Sequence, residues 1–291
     1  MDLNERIIRT VAYFDLFDYP LTKAEIWRWL FGASVISLGE IEKAIAELVA
    51  CKVLKEDGGF ICAADREGLP AVREERFRFS ARKWRRARRW AKVFAAMPGV
   101  KLVAIGNTLA YNNAKDDSDI DFFIVTEPGT IWRNRIFCAC LAALFNLRPR
   151  KGNSRDKLCL SFFVTSDALD LSVIAQREDV YLHYWLRQLV PLAGSAETAA
   201  AFCAANGGLK ERGFASKAGI WAWLFRPIGW LPGGFLKKTQ KKRFPKPLRA
   251  AETKGDGSVV ISDRILKFHV NDRRADVRER WERRVECLMI E

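Results

Sequence analysis

Two apolar runs joined by a short polar segment constrain the fold of this chain most strongly. Residues 100–105 are rich in β-branched and apolar side chains and end at Gly106, which predicts a buried strand followed by a glycine turn. After a small acidic loop, residues 117–125 (Asp-Ser-Asp-Ile-Asp-Phe-Phe-Ile-Val) predict a second strand. Because side chains alternate between the two faces of a strand, Asp119 and Asp121 share one face. The opposite, buried face carries Ile120, Phe122 and Ile124.

The paired aspartates indicate a site for a divalent cation. Two neighbouring carboxylates repel each other unless a cation lies between them, and such hard oxygen ligands suit Mg²⁺ or Mn²⁺. The turn of Gly106, Asn107 and Thr108 offers backbone N–H groups and a hydroxyl to the phosphates of a nucleotide. We therefore predict a phosphoryl-transfer site in which Asp119 and Asp121 are the catalytic metal ligands. The alternative is a pair of solvated aspartates at the end of a strand.

The combination of Gly106-Asn107-Thr108 with Asp119-Ile120-Asp121 resembles the signature of the polymerase-β-like nucleotidyltransferase superfamily, whose usual pattern is Gly-Ser followed by Asp-x-Asp. The resemblance covers roughly residues 80–166. It implies an α+β fold with a mixed sheet flanked by helices and Mg²⁺ (or Mn²⁺) bound by the aspartates. It also implies transfer of a nucleoside monophosphate from a nucleoside triphosphate to an acceptor. Within the superfamily, the chain resembles small prokaryotic proteins with an N-terminal winged helix.

The sequence departs from the family pattern at two places. Asn107 stands where the family has serine, so the phosphate contacts differ, with the Thr108 hydroxyl one position later. Many catalytic members also place a third carboxylate on a later strand. The predicted third strand, 157–164, offers Cys159 and Ser161 at its inward positions instead. The other acids near that strand are Asp156, Asp167 and Asp170, so either two carboxylates hold the metal or one of these three joins them.

The N-terminal 65 residues predict a winged helix-turn-helix. Helical spacing over residues 3–14 is followed by two capping-box patterns, Thr22 with Glu25 and Ser37 with Glu40. Two short strand signals then surround a glycine turn at Gly58-Gly59. The third predicted helix carries Glu40, Glu42 and Glu47 against the single cation Lys43. Because DNA affinity depends on phosphate neutralisation, we expect a structural or protein-contact role and disfavour duplex DNA as the partner.

The formal net charge of +14 favours polyanionic partners. Two basic runs without acids, residues 82–92 and 237–249, carry much of the surplus. The first has an apolar stripe at helical spacing, so its cations form either a solvated helix face or a phosphate-binding surface. The second contains two prolines and follows a tryptophan-rich stretch, which predicts a loop or linker. That linker is either a solvated connector or a contact with acidic lipid or RNA.

Several classes of protein are disfavoured. The seven cysteines contain no Cys-x-x-Cys pair, which is typical of reduced thiols in a cytoplasmic protein. The only two histidines, His183 and His269, are far apart in sequence, which disfavours zinc enzymes and Ser-His-Asp hydrolases. Residues 1–5 show no signal-peptide pattern, and prolines and glycines interrupt the apolar stretch 218–235. We expect a cytoplasmic location without a membrane-spanning helix.

The sequence predicts three regions: a winged helix-turn-helix at 1–65, a nucleotidyltransferase core at 76–170 and a mainly helical C-terminal extension at 171–291. The predicted function is Mg²⁺-dependent nucleotidyl transfer with a nucleoside triphosphate as substrate. A non-catalytic nucleotide-binding scaffold and a winged-helix DNA-binding regulator are the alternatives. The nucleotide base, the oligomeric state and the acceptor, whether small molecule, protein or RNA, stay open.

Overall fold

A computed structural model describes residues 1–32, 35–150, 152–207, 225, 227 and 233–290. The helices in these residues are Leu3–Asp15 (α1), Lys23–Trp29 (α2), Leu38–Ala50 (α3), Leu69–Ala95 (α4), Asn107–Ala110 (α5), Ile131–Leu144 (α6), Val180–Gln188 (α7), Ala196–Asn206 (α8), Gly233–Arg243 (α9), Lys246–Glu252 (α10) and Arg274–Ile290 (α11). The strands are Leu54–Asp57 (β1), Phe60–Ala63 (β2), Val100–Ile105 (β3), Ile120–Thr126 (β4), Leu158–Thr165 (β5), Val190–Gly194 (β6), Val259–Ile261 (β7) and Ile265–Phe268 (β8). The chain therefore has the α+β composition that the sequence predicts.

Six strands form one mixed sheet in the order β6-β3-β4-β5-β8-β7. The neighbours β4 and β5 run parallel, and the other pairs are antiparallel. In the parallel pair, Asp121 lies opposite Cys159 and Phe123 lies opposite Phe162. The strand β5 thus carries one more residue than β4 between these two pairs. This irregularity is the kind of bulge that redirects side chains next to a site.

The two faces of the sheet have different surroundings. Ile120, Phe122 and Ile124 are buried, as their alternation predicts. On this face Phe122 packs edge to face against Phe94 of α4, with ring centroids 5.3 Å apart. On the other face the Phe123 ring contacts the rings of Phe162, Trp185 and Phe202. Asp121 shares this second face with Phe123, so the predicted site lies beside an aromatic cluster.

The described chain divides into two compact units, residues 1–78, 178–184 and 273–291 in the first and residues 79–177 and 185–272 in the second. In the first unit, α1 to α3 precede the antiparallel hairpin of β1 and β2. Leu21 exchanges two backbone hydrogen bonds with Ile61 beside this hairpin. Both predicted capping boxes are confirmed, because Thr22 and Ser37 each exchange hydrogen bonds with the glutamate three residues later.

The C-terminal region, predicted as mainly helical, contributes strands as well as helices. Residues 171–291 supply three strands of the six-stranded sheet besides their helices. Two of these strands, β6 and β8, hydrogen-bond to β3 and β5, whose backbone groups would otherwise lack partners on one side, and β7 pairs with β8. The same region contributes residues to both compact units. The helix α8 has Ser195 as its N-cap and Gly207 in the left-handed conformation after its end.

The second basic run is helical, so the prediction of a loop or linker there is wrong. Its residues lie mostly in α9 and α10. Pro245 is the N-cap of α10 and Pro247 lies in its first turn, where a proline costs no intrahelical hydrogen bond. The prolines therefore mark the start of a helix.

The tryptophan-rich stretch before the second basic run falls largely outside the described residues, including Trp221, Trp223 and Trp230. Phe225 is described and is buried in the core of the second unit. Among the described helices, none combines the length and the hydropathy that crossing a bilayer requires.

Candidate functional site

Asp119, Asp121 and Cys159 form one group at the start of the parallel strand pair. Each offers a ligand atom, either a carboxylate oxygen or Sγ, and these three atoms lie within 4.8 Å of one another. Asp119 directly precedes β4, Asp121 is its second residue, and Cys159 is the residue paired with Asp121 on β5. All three side chains are partly buried. In the part of the chain that the structure describes, this is the group of acidic, cysteine and histidine residues whose spacing suits a metal ion.

The predicted glycine turn lies next to this group. The Gly106 amide donates a hydrogen bond to the Asp121 carbonyl oxygen at 3.1 Å. A Cβ atom on Gly106 would lie 2.9 Å from Nε1 of Trp185, so only glycine fits without moving the indole. Because Gly106 is buried against Trp185, the close approach explains this glycine better than backbone freedom does.

Asn107 links Trp185 to Asp121. Its Oδ1 accepts a hydrogen bond from Nε1 of Trp185 at 2.9 Å, and its side chain also hydrogen-bonds Asp121. The backbone of Asn107 has φ +55°, in the left-handed region that asparagine tolerates better than most residues. Thr108 is the second residue of α5, is partly buried, and its carbonyl oxygen accepts from the Asn113 amide at 2.8 Å. All five residues predicted for the site therefore lie in two adjoining segments.

Burial raises the pKa of all three side chains of this group. Burial and the neighbouring Asp121 carboxylate raise the pKa of Asp119 to about 7. Burial raises the pKa of Asp121, although hydrogen bonds from Asn107 and Cys159 oppose the shift. Burial and the two carboxylates raise the pKa of the Cys159 thiol well above its ordinary value. A cation bound among these groups would favour their charged forms, because it supplies the opposite charge that the site lacks.

A buried lysine holds the loop before Asp119. Lys83 is fully buried on α4, and its Nζ donates to the carbonyl oxygens of Asp116 (3.0 Å) and Ser118 (2.7 Å). The same atom donates to Oδ1 of Asp156 at 2.8 Å. Although burial opposes ionisation, hydrogen bonds from Lys83 and Arg82 hold the pKa of Asp156 below its ordinary value. Lys83 therefore fixes the main chain that leads into the group of Asp119, Asp121 and Cys159.

The three acids considered as an additional ligand are engaged elsewhere. Asp156 bonds to Lys83 and Arg82, and Asp167 forms an ion pair with Arg264 at 3.3 Å. Asp170 accepts from the Ser172 amide at 2.8 Å. Among the described residues, none of the three belongs to the group of Asp119, Asp121 and Cys159, whose spacing suits a metal ion. The third position of that group belongs to Cys159.

His269 lies behind Cys159, a placement that the sequence analysis missed. The Cys159 thiol donates to Oγ of Ser161 at 3.2 Å, and Nε2 of His269 lies 3.1 Å from the same oxygen. His269 directly follows β8, whose Lys267 pairs with Phe162 of β5. The strand signal before His269 was visible in the sequence, but its pairing partner was not.

The first basic run divides into two parts. Arg82 and Lys83 are bound to Asp116 and Asp156, so these two cations are structural. The other charged residues of the run are exposed on α4, namely Arg85, Arg86, Arg88, Arg89 and Lys92. His183 lies in the first unit, where its ring is 5.6 Å from the Phe31 ring and 5.1 Å from the Tyr184 ring. His183 is thus a helix residue packed against aromatic rings.

Comparison of the chain with protein-family models, with curated proteins and with solved structures found no match.

Proposed function

We propose that this chain is a divalent-metal-dependent nucleotidyltransferase of the polymerase-β-like kind, which moves a nucleoside monophosphate from a nucleoside triphosphate to an acceptor. The observation that carries the proposal is the placement of Asp119 and Asp121 beside the Gly106 turn. Two neighbouring carboxyl groups whose pKa values are raised by burial, next to a turn of small residues, suit a metal ion bound together with a phosphate chain.

Asp119 and Asp121 would hold Mg²⁺ or Mn²⁺, and their oxygen donors fit such hard cations. When bound, the ion supplies charge that polarises the phosphate and neutralises the developing negative charge. Asn107 orients the Asp121 carboxylate through its side-chain hydrogen bond and is itself held by Trp185. The Gly106 amide is bonded to the Asp121 carbonyl oxygen, so Gly106 would shape the turn while the backbone amide and the hydroxyl of Thr108 bind phosphate oxygens.

We assign the order of α1, α2, α3 and the β1-β2 hairpin to a winged helix with a protein-contact role. The exposed side chains of α3 include Glu42, Lys43 and Glu47. A helix with this net negative face opposes the phosphate contacts on which duplex binding depends. A cytoplasmic location completes the proposal, since nucleoside triphosphates are its substrates.

The test is nucleotidyl transfer by the full chain. The purified protein is incubated with Mg²⁺ or Mn²⁺, each of four labelled nucleoside triphosphates in turn, and a cell extract that supplies acceptors. We expect label to appear in an acceptor with the unchanged protein, and the signal to fall to background with Asp119→Ala or Asp121→Ala. Asp117→Ala is the matched control, because this exposed aspartate lies in the same loop but outside the metal-ligand group.

Two outcomes would overturn the proposal. Nucleotide binding that depends on Asp121, without transfer under any of these conditions, would support the alternative of a non-catalytic nucleotide-binding scaffold. Transfer that persists in Asp119→Ala and Asp121→Ala would show that the labelled product comes from another enzyme in the preparation.

A further inference from the structure

We propose that Cys159 is the third ligand of the metal site, as a thiolate, and that the site therefore prefers thiophilic divalent ions such as Zn²⁺ or Co²⁺ over Mg²⁺. The inference deepens the proposed function, on which it rests because it takes Asp119 and Asp121 as the other two ligands. It changes the chemistry of the site from all-oxygen to mixed oxygen and sulfur. Soft sulfur ligands select zinc-like ions, whereas oxygen ligands alone suit Mg²⁺.

The strand register places the thiol beside the carboxylates. Cys159 is the direct partner of Asp121 in the parallel pair, so both side chains leave the same face of the sheet. The three ligand atoms lie within 4.8 Å of one another. A tetrahedral ion with bonds of about 2.0–2.3 Å separates its ligand atoms by roughly 3.3–3.8 Å. The side chains therefore need to close by only about an ångström around an ion.

The groups behind Cys159 suit a thiolate. The thiol donates to Ser161 Oγ, which also lies 3.1 Å from His269 Nε2. Once the thiol proton has left, the Ser161 hydroxyl can turn and donate to the sulfur while its oxygen accepts from His269. Outer groups that donate to a metal ligand are the usual support of such sites.

The position of His269 is fixed by its own strand. The preceding Lys267 is buried, and its Nζ donates to the Gly257 carbonyl oxygen at 2.7 Å and to Asp272 Oδ2 at 2.9 Å. These contacts clamp the chain on both sides of His269. These contacts hold the His269 imidazole next to Ser161. A histidine on an unrestrained surface loop would not keep this position.

The binding step is balanced without a redox partner. The S–H bond of Cys159 breaks, its proton passes to solvent, and a bond forms between sulfur and the divalent ion. No electron is transferred. Metal binding at this site can therefore be measured without nucleotide and without turnover.

Cobalt absorption tests this assignment. A thiolate bound to Co²⁺ gives a charge-transfer band in the near ultraviolet, which carboxylates do not give. We expect the full chain titrated with Co²⁺ to show this band with one equivalent bound, and Cys159→Ser, Cys159→Ala and Asp121→Asn to lose it. Cys140→Ser is the matched control, because Cys140 is an exposed cysteine on α6 outside the ligand group, and it should keep the band. Far-ultraviolet circular dichroism establishes that each variant is folded.

A second variant tests the preference itself. Cys159→Asp replaces the sulfur by a third carboxylate, and we expect the ratio of Mg²⁺ to Zn²⁺ affinity to rise at least tenfold. A band that persists in folded Cys159→Ser, or Co²⁺ bound by the unchanged protein without a band, would overturn the inference. The proposed function fails separately: a Cys159-dependent band without nucleotidyl transfer refutes the transferase alone, and Asp119-dependent transfer without a band refutes thiolate ligation alone.

Discussion

Asp119 makes the metal-free site costly at neutral pH. Burial and the Asp121 carboxylate raise its pKa from 3.8 to about 7, so the folded protein binds the proton more tightly than the unfolded chain does. Linkage then requires the free energy of unfolding to fall as the pH rises through this interval, because ionised Asp119 is disfavoured in the fold. Ionised Asp119 therefore lowers the free energy of unfolding in the absence of a cation, and a bound cation would offset this loss.

We predict that Asp119→Asn stabilises the metal-free protein at pH 8 but not at pH 5. At pH 8 the amide removes the buried charge and its repulsion by Asp121, whereas at pH 5 the native carboxyl is already protonated. Thermal unfolding in the presence of a chelator measures the difference in Tm. An equal shift at both pH values would show that the gain comes from packing and would contradict this electrostatic account.

Gly106 and Trp185 form a second residue-scale test. A Cβ at position 106 would lie 2.9 Å from the indole nitrogen, so Gly106→Ala must displace Trp185 and break its hydrogen bond to Asn107. We expect a loss of about 1–3 kcal/mol in the free energy of unfolding, as for other overpacked sites. Because Trp185→Phe removes the clashing atom, the double variant should lose less than the sum of the two single variants. Additive losses in denaturant titrations would contradict the clash.

At the scale of elements, α4 is joined to the ligand-bearing loop through Lys83. We predict that Lys83→Met destabilises the protein by about 3 kcal/mol, the lower end of the range for breaking a buried ion pair, because Arg82 still contacts Asp156. Lys92→Met, an exposed position on the same helix, should change stability by less than about 0.5 kcal/mol. Denaturant unfolding compares the two, and equal effects would show that Lys83 does not anchor the loop.

Local sequence patterns predicted the elements that depend on local physics. The capping boxes at Thr22 and Ser37 could be predicted because their hydrogen bonds join residues only three positions apart at each helix start. The alternation in β4 was readable because one face is buried, as at Phe122. The prolines of α10 misled the prediction, since a proline is tolerated at a helix start and the sequence alone did not show where the helix begins.

The pairing of strands that are distant in sequence could not be predicted from local patterns. The contact of His269 with Ser161 spans 108 positions and depends on the pairing of β8 with β5. No local pattern encodes which strand β8 joins. The sequence predicted Cys159 and Ser161 as inward positions of the third strand, but the proximity of Cys159 to both aspartates depends on the register of the parallel pair.

At the scale of the whole molecule, the net charge of +14 is unevenly distributed. Residues 1–60 hold seven basic and ten acidic residues, whereas α4 exposes a row of arginines that includes Arg88 and Arg89. We predict that retention on immobilised single-stranded RNA depends on α4. The double variant Arg88→Glu with Arg89→Glu should elute at lower salt, and its log-log salt dependence should weaken by about 1.4, the value for two lost phosphate contacts.

The matched control changes the net charge equally in the first unit. Lys43 on α3 and Lys52 after it are both exposed, and replacing both by glutamate should leave the elution salt close to that of the unchanged protein. A larger effect of this control than of the α4 variant would restore the DNA- or RNA-binding role of the predicted winged helix.

We propose that Asp119 and Asp121 bind a divalent ion beside the Gly106 turn, and Mn²⁺ binding followed by electron paramagnetic resonance measures this step. With the full chain, we expect loss of the free Mn²⁺ signal on addition of protein, tighter binding when a non-hydrolysable nucleoside triphosphate analogue is present, and unchanged binding in Asp117→Asn. Asp121→Asn should weaken Mn²⁺ binding at least tenfold. Equal binding by Asp121→Asn and the unchanged protein, or no effect of the analogue, would show that these aspartates are not the ligands of a nucleotide-linked ion.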